Sequence, residues 1–272
     1  MRRWIFLFFA AFAPVLGDTA QACGAASDCS LETGTYRYEA PENISDQLPV
    51  VVYFHGYGSS AKNTIEVDRN LVNAALARGY VFLALNGMTR SFEGAKNGWS
   101  VHDGQTPLRN EADFARAAVQ DLAGKLPLDL SRVLLTGYSM GGSAVLDTAC
   151  HSPQGFAGFV VLNGAMWSPL PKACSAPVQL FQIHAFSDTV MPLEGLSYGP
   201  VSTGDVFAGL RLVREISVES HTPDGFAVSN EMRCRFWQDS AVRFCLYDGD
   251  HTWPVDWMQT ALDWFEQRSV KP

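Results

Sequence analysis

Residues 131–147 read Ser-Arg-Val-Leu-Leu-Thr-Gly-Tyr-Ser-Met-Gly-Gly-Ser-Ala-Val-Leu-Asp, and this stretch decides the fold. An apolar run typical of a buried strand, 133–135, leads into a Gly-x-Ser-x-Gly motif at 137–141, which a small-residue helical pattern follows. A strand, a sharp turn and a helix in this order form a nucleophile elbow, whose serine stands above a sheet at a helix N-terminus. We therefore predict that Ser139 is a nucleophile.

The rest of the chain alternates continuous apolar runs with helical patterns, which predicts an α/β fold with a mostly parallel sheet covered by helices on both faces. The predicted strands are 34–38, 49–54, 80–85, 133–135, 159–162, 178–184 and 242–247. The predicted helices are about 63–78, 111–126, the elbow helix to Cys150, 204–216 and 255–268. We expect one domain over 23–272, without a substantial lid, because the connection from 162 to 178 is short.

Two further residues follow predicted strands at the edge where such sheets bind ligands. Asp188 follows the strand that ends at His184, and His251 lies in the turn after 242–247. The chain order Ser…Asp…His is that of an α/β-hydrolase triad. We predict that His251 takes the proton from Ser139 and that Asp188 holds the imidazole tautomer.

Other acids and histidines have plainer interpretations. Asp248 and Asp250 are so close to His251 in sequence that we expect them to shape its turn. We expect His102, His151 and His221 to be solvated surface residues, His184 to be a satisfied core residue, and His55 to brace its own loop.

An oxyanion hole needs two backbone N–H groups aimed at the developing charge. The residue after the nucleophile, Met140, supplies one. The loop after the first buried strand supplies the other, and we choose the N–H of Tyr57, with Gly58 as the second choice.

Taken together, the motifs resemble the extracellular polyhydroxybutyrate depolymerase and feruloyl esterase group of α/β-hydrolases. They are His-Gly-x-Gly at 55–58, Gly-x-Ser-x-Gly, Asp188, and Gly-x-His-Thr-Trp-Pro at 249–254. The resemblance covers about 30–268 and implies ester hydrolysis through an acyl-enzyme without a cofactor. The chain has Tyr138 where that group usually has leucine, and it lacks the group's separate polymer-binding module. Two alternatives stay open: a serine peptidase of the same fold and a catalytically inactive binding protein.

The composition limits the partners. The chain has 272 residues, 20 basic and 28 acidic, with a formal charge of −8 and no basic run, so we expect no nucleic acid and no anionic membrane as partner. We expect a monomer that acts on a small-molecule or oligomeric ester. No Cys-x-x-Cys pair occurs, and we expect no metal and no cofactor.

The first 22 residues have a charged start, a short apolar run and a small-x-small site at 20–22, which predicts a secretory signal and a secreted or periplasmic protein. Cys23 would then be the first mature residue, which leaves lipid attachment or a retained anchor as alternatives. The six cysteines are expected to form three disulfides: Cys23–Cys29, Cys150–Cys174 and Cys234–Cys245.

Several large side chains flank the predicted site in sequence. We predict that Trp99, Met166, Trp167, Phe186 and Trp253, with Trp257, form a wall against an apolar or aromatic acyl group. Core packing is the equally weighted alternative for each of them.

Overall fold

A computed structural model describes residues 23–44, 47–90, 96–102, 104, 106–214, 225–229, 232–236 and 242–269. The predicted signal segment and His221 lie outside these residues. No helix in the described ranges is long and apolar enough to cross a bilayer.

The described strands are, in chain order, β1 (Cys29–Leu31), β2 (Gly34–Glu39), β3 (Leu48–Phe54), β4 (Val81–Leu85), β5 (Met88–Arg90), β6 (Lys96–Gly98), β7 (Leu128–Tyr138), β8 (Gly158–Leu162), β9 (Leu180–Ala185), β10 (Ser197–Tyr198), β11 (Val201–Ser202), β12 (Gly225–Ser229), β13 (Met232–Phe236) and β14 (Val242–Tyr247). Ten of them form one sheet in the order β1-β2-β4-β3-β7-β8-β9-β14-β13-β12. The six strands from β4 to β14 are parallel, and both edges are antiparallel. This is the α/β-hydrolase architecture that the sequence predicts.

The helices are α1 (Ala61–Glu66), α2 (Arg69–Leu76), α3 (Glu111–Ala123), α4 (Met140–His151), α5 (Val206–Arg214) and α6 (Trp257–Ser269). The single helix predicted at 63–78 is wrong, because the chain breaks at 67–68. There the guanidinium of Arg69 donates to the Ile65 carbonyl at 2.8 Å and to the Glu39 carboxylate at 2.7 Å. These bonds give the Ile65 carbonyl, at the C-terminal end of α1, a hydrogen-bond partner. They also connect the segment between α1 and α2 to Glu39 of β2.

The sheet is buried on both faces, as its continuous apolar strands predict. Val50, Val52 and Phe54 of β3 pack into a core shared with α3, α4 and α5. The alternate residues Val51 and Tyr53 pack into the opposite core, shared with α1, α2 and α6. Helices therefore cover both faces of the sheet, and loops follow the carboxyl ends of its parallel strands.

The connection between β8 and β9 is covered by residues that come later in the chain, which the sequence did not reveal. The Ser168 N–H donates to the Ser202 carbonyl at 2.8 Å, and the Gly204 N–H donates to the Met166 carbonyl at 2.7 Å. The small β10–β11 hairpin therefore packs on residues 166–168.

All six cysteines form the predicted pairs, Cys23–Cys29, Cys150–Cys174 and Cys234–Cys245. Cys234 and Cys245 are directly opposite in the antiparallel β13–β14 ladder.

Candidate active site

The turn between β7 and α4 has the strained backbone of a nucleophile elbow. Ser139 has φ 56° and ψ −125°, a left-handed conformation that is uncommon for residues other than glycine. A Cβ at Gly137 would lie 2.5 Å from the Gly141 carbonyl oxygen, and one at Gly141 would lie 2.0 Å from the Phe54 oxygen. The two motif glycines are therefore required for the helix to approach β3 and β7 this closely. Ser139 itself is 7% exposed.

Ser139, His251 and Asp188 form one continuous hydrogen-bonded chain. The Nε2 atom of His251 lies 2.8 Å from the Oγ atom of Ser139, and its Nδ1 atom lies 2.7 Å from Oδ2 of Asp188. Ser139 follows β7, His251 follows β14 and Asp188 follows β9, so all three lie at the carboxyl ends of the parallel strands. The structure thus places together the three residues proposed from their chain order.

Asp188 is buried, and its second oxygen is held by its own loop. Oδ1 accepts backbone N–H groups from Val190 at 2.9 Å and Met191 at 2.6 Å. Burial acts to raise the pKa of Asp188, but the hydrogen bonds from His251 and from the Met191 N–H outweigh it, so the pKa lies below its usual value. The carboxylate is therefore ionised and oriented toward His251 at neutral pH.

The loop that carries His251 is fastened to the neighbouring strands by residues that the sequence analysis missed. Asn163, which follows β8 with φ 49°, donates from Nδ2 to the Tyr247 hydroxyl at 2.7 Å and the Thr252 carbonyl at 2.8 Å. Its Oδ1 accepts the Ala185 N–H at 2.8 Å. An asparagine between a buried strand and Gly164 was the available signal, because asparagine tolerates left-handed backbone.

Of the two alternative acids, Asp250 has the structural role expected for it. Oδ1 of Asp250 accepts the N–H and hydroxyl of Thr189, each at 3.0 Å, and the N–H of His251 at 2.8 Å. It therefore joins the loops of Asp188 and His251. Asp248 is exposed.

Two other histidines are buried and hydrogen-bonded, as expected. His184 contacts the Met191 carbonyl with Nε2 at 2.7 Å and the Gln182 amide with Nδ1 at 3.1 Å. His55 contacts the Gly56 carbonyl with Nδ1 at 2.8 Å and accepts the Gly87 N–H on Nε2 at 3.1 Å. Burial lowers the pKa of both, to about 4 for His55.

The loop at 55–58 lies directly against the elbow. A Cβ at Gly56 would be 3.6 Å from the Cβ of Ser139, so this loop can face an oxyanion formed there. The N–H of Gly58, our second choice as donor, instead bonds the Asn97 carbonyl at 2.7 Å, which leaves Tyr57 and Met140 as the candidates. Trp99 donates a hydrogen bond from Nε1 to the His55 carbonyl at 2.7 Å, which stabilises the loop at 55–58.

The predicted aromatic wall divides into exposed and buried members. Phe186 and Trp253 are 68% and 41% exposed. The other four are core residues, which corrects their assignment to the wall: Trp99, Met166, Trp167 and Trp257 are at most 6% exposed. Met166 and Trp167 are buried because the β10–β11 hairpin and α5 pack on them. Trp253 packs edge-on against Tyr138, with 4.6 Å between ring centroids, one residue from Ser139.

Comparisons with known proteins identify the family of the chain. The family model described as phospholipase/carboxylesterase matches residues 39–197, more than half of the chain. The chain belongs to this family. Membership of this family makes it a carboxylic ester hydrolase.

Several proteins that are similar to this chain have names that describe them as esterases. A protein of Nocardia uniformis subsp. tsuyamanensis named as the esterase NocK is 29% identical over 255 residues, covering 82% of this chain and 71% of its own length. An acetyl xylan esterase from Aspergillus awamori has a similar structure, with a TM-score of 0.62 at 16% identity over 85% of this chain and 93% of that one. The Bacillus cereus carboxylesterase has a TM-score of 0.57 at 12% identity over 87% of this chain and 95% of that one. These structural likenesses show the fold.

Proposed function

We propose that this carboxylic ester hydrolase works through an acyl-enzyme on Ser139, with His251 as general base and acid and Asp188 as its partner. The observation that carries the proposal is the unbroken hydrogen-bonded chain from Ser139 Oγ through both ring nitrogens of His251 to Asp188. It needs no residue to move before the first proton transfer.

The chemistry follows from the placement of each atom. Nε2 of His251 removes the Ser139 proton as Oγ attacks the ester carbonyl, and Asp188 stabilises the imidazolium through Nδ1–H. The N–H groups of Tyr57 and Met140 receive the negative oxygen. His251 then protonates the departing alkoxide, and a water activated by the same nitrogen releases the acid and restores Ser139.

The proposed substrate is a small or oligomeric ester with an apolar or aromatic acyl group, as in the polyhydroxybutyrate depolymerase and feruloyl esterase group. Exposed Trp253 packs against Tyr138, the residue before Ser139, so an aromatic side chain lies beside the nucleophile elbow, and exposed Phe186 follows the strand that precedes Asp188. A monomer without nucleic-acid or membrane partners remains our expectation. Three disulfides and the signal-like start support an exported protein, since disulfides persist in oxidising compartments.

A fluorophosphonate probe followed by peptide mass spectrometry tests the mechanism. We expect a single adduct on Ser139, which is lost in Ser139→Ala. It should be kept in Ser143→Ala, because Ser143 is also a buried serine but lies one turn further along, within α4. Ser139→Ala should reduce p-nitrophenyl acetate turnover by about 10³-fold or more. Retention of a tenth of the rate would remove Ser139 from the role of nucleophile.

A substrate panel tests the specificity. It contains p-nitrophenyl esters, methyl ferulate, hydroxybutyrate oligomers and peptide p-nitroanilides. We expect kcat/KM to be highest on the esters. Faster cleavage of the anilides would instead identify a peptidase.

A further inference from the structure

Outside the proposed active site, two histidines and an aspartate converge at the far end of the elbow helix. Asp147 and His151 lie one turn apart on α4, and His102 reaches them from the loop after β6. Nδ1 of His102 is 2.6 Å from Oδ1 of Asp147, and Nε2 of His151 is 3.9 Å from the same oxygen. One ligand atom from each residue lies within 4.8 Å of the others.

We propose that His102, Asp147 and His151 bind one divalent transition-metal ion of the zinc class. Two imidazoles and a carboxylate suit zinc, cobalt or nickel, whereas calcium and magnesium prefer sites made of oxygen alone. A tetrahedral ion with bonds of 2.0–2.1 Å separates its ligand atoms by about 3.3 Å. The separations from Oδ1 of Asp147, 2.6 Å to His102 and 3.9 Å to His151, lie on either side of that value, so side-chain rotations that move the ligand atoms by about 1 Å bring them to it.

The surroundings favour a real site over a chance surface cluster. The backbone N–H of His102 also donates to Oδ1 of Asp147 at 3.0 Å, which fixes the loop on the helix before any ion binds. The two imidazole rings are in contact, with 3.9 Å between centroids and 33° between their planes. The Asp147 and His151 side chains are 22% and 32% exposed, so they are partly preorganised by packing, while the His102 side chain, at 64%, leaves the ion accessible.

The position of the cluster indicates a structural role for the ion. Eight residues of helix separate Ser139 from Asp147, or about 12 Å at 1.5 Å per residue, so the ion would not contact the reacting atoms. It would instead clamp the loop of Trp99 onto α4. Trp99 donates a hydrogen bond to the His55 carbonyl, and the bound ion would therefore stabilise the loop that faces Ser139.

The expectation of no metal came from cysteine spacing. A site that joins His102 to Asp147, 45 positions later, gives no local motif in the sequence.

Calorimetry with ZnCl₂ and visible absorption with CoCl₂, on tag-free and chelator-treated protein, test the proposal. We expect one ion per chain, the visible bands of a four- or five-coordinate cobalt ion, and a higher Tm with zinc, because an ion that binds the folded state stabilises it. Asp147→Asn, which keeps the side-chain shape, and His151→Gln should each weaken zinc binding by about tenfold or more. Far-UV circular dichroism establishes that the variants are folded.

Two matched variants locate the ion. His251→Gln removes the imidazole of the triad, and Asp113→Asn removes an exposed carboxylate of α3. Both should keep wild-type zinc affinity. Loss of binding in His251→Gln would place the ion at the triad, and equal affinity in Asp147→Asn and wild type, or no stoichiometric binding, would overturn the proposal.

Discussion

The phenolic O–H of Tyr138 donates a hydrogen bond to the backbone carbonyl of His251, with 2.6 Å between the oxygens. The Tyr138 ring also lies 5.1 Å from the imidazole, centroid to centroid. Because Tyr138 directly precedes Ser139, one residue connects the strand of the proposed nucleophile to the loop of the proposed base. We therefore expect Tyr138, which stands where the polyhydroxybutyrate depolymerase and feruloyl esterase group usually has leucine, to position the His251 loop.

Tyr138→Phe removes this hydrogen bond and keeps the ring. We expect kcat on p-nitrophenyl acetate to fall by about tenfold, corresponding to roughly 1–1.5 kcal/mol for one hydrogen bond, with little change in KM. Tyr80→Phe is the control, since it also removes a hydrogen-bonded hydroxyl, which accepts from Arg132 outside the site. An equal loss of activity in both variants would show a general effect on stability.

Asp188→Asn should reduce kcat by about 10³–10⁴-fold while substrate binding changes little, because the amide cannot stabilise the imidazolium and favours the wrong tautomer. Asp248→Asn, an exposed neighbour of His251, should retain wild-type activity. Steady-state kinetics on p-nitrophenyl acetate measure both variants. If Asp248→Asn loses activity and Asp188→Asn keeps it, the acid is misassigned.

The chain order and the motifs allowed the sheet, the helices on both faces and the residues of the hydrogen-bonded relay to be predicted, because each depends on local patterns. The contacts of Tyr138 and Asn163 could not be predicted, since both join loops more than 80 residues apart. The choice between wall and core for Trp167 was left open for the same reason: the hairpin that covers it comes 30 residues later. Composition identifies a large aromatic residue, but tertiary packing decides whether ligand or core contacts it.

Trp253→Ala should lower kcat/KM for methyl ferulate by roughly tenfold, about 1.4 kcal/mol, because the exposed indole beside Tyr138 would contact an aromatic acyl group. The change for p-nitrophenyl acetate should be small, since acetate does not reach the indole. Val255→Ala, an exposed apolar neighbour on the same loop, is the control. Equal losses on both esters would mean that Trp253 supports the loop and does not select substrate.

The stability of the fold should fall as the pH drops from 6.5 toward 4, partly because of His55. The pKa of His55 is about 4 in the folded protein because burial disfavours the charged ring, whereas in the unfolded chain this pKa has its ordinary value of about 6.5. Between these values the unfolded state binds more protons, so the free energy of unfolding rises with pH and His55 costs stability at the acidic end, on the order of 3 kcal/mol.

Urea unfolding of wild type and His55→Gln between pH 4 and 7 measures this effect. The variant should show a shallower dependence of the free energy of unfolding on pH. His184→Gln should also flatten it, because burial lowers the pKa of His184 in the same direction. A wild-type slope in His55→Gln would contradict the assignment.

The Cys234–Cys245 bridge should protect activity more than it protects the fold. It joins β13 to β14, and β14 ends four residues before His251. Cys234→Ser combined with Cys245→Ser should therefore lose activity at temperatures where far-UV circular dichroism still reports a folded protein. The expected loss of stability is about 2–4 kcal/mol. Cys23→Ser combined with Cys29→Ser removes a bridge at the opposite edge of the sheet, where β1 lies, and should keep activity up to its own Tm. Coincident loss of activity and ellipticity in the first variant would show that the bridge acts on the whole domain and not on the strand that leads to His251.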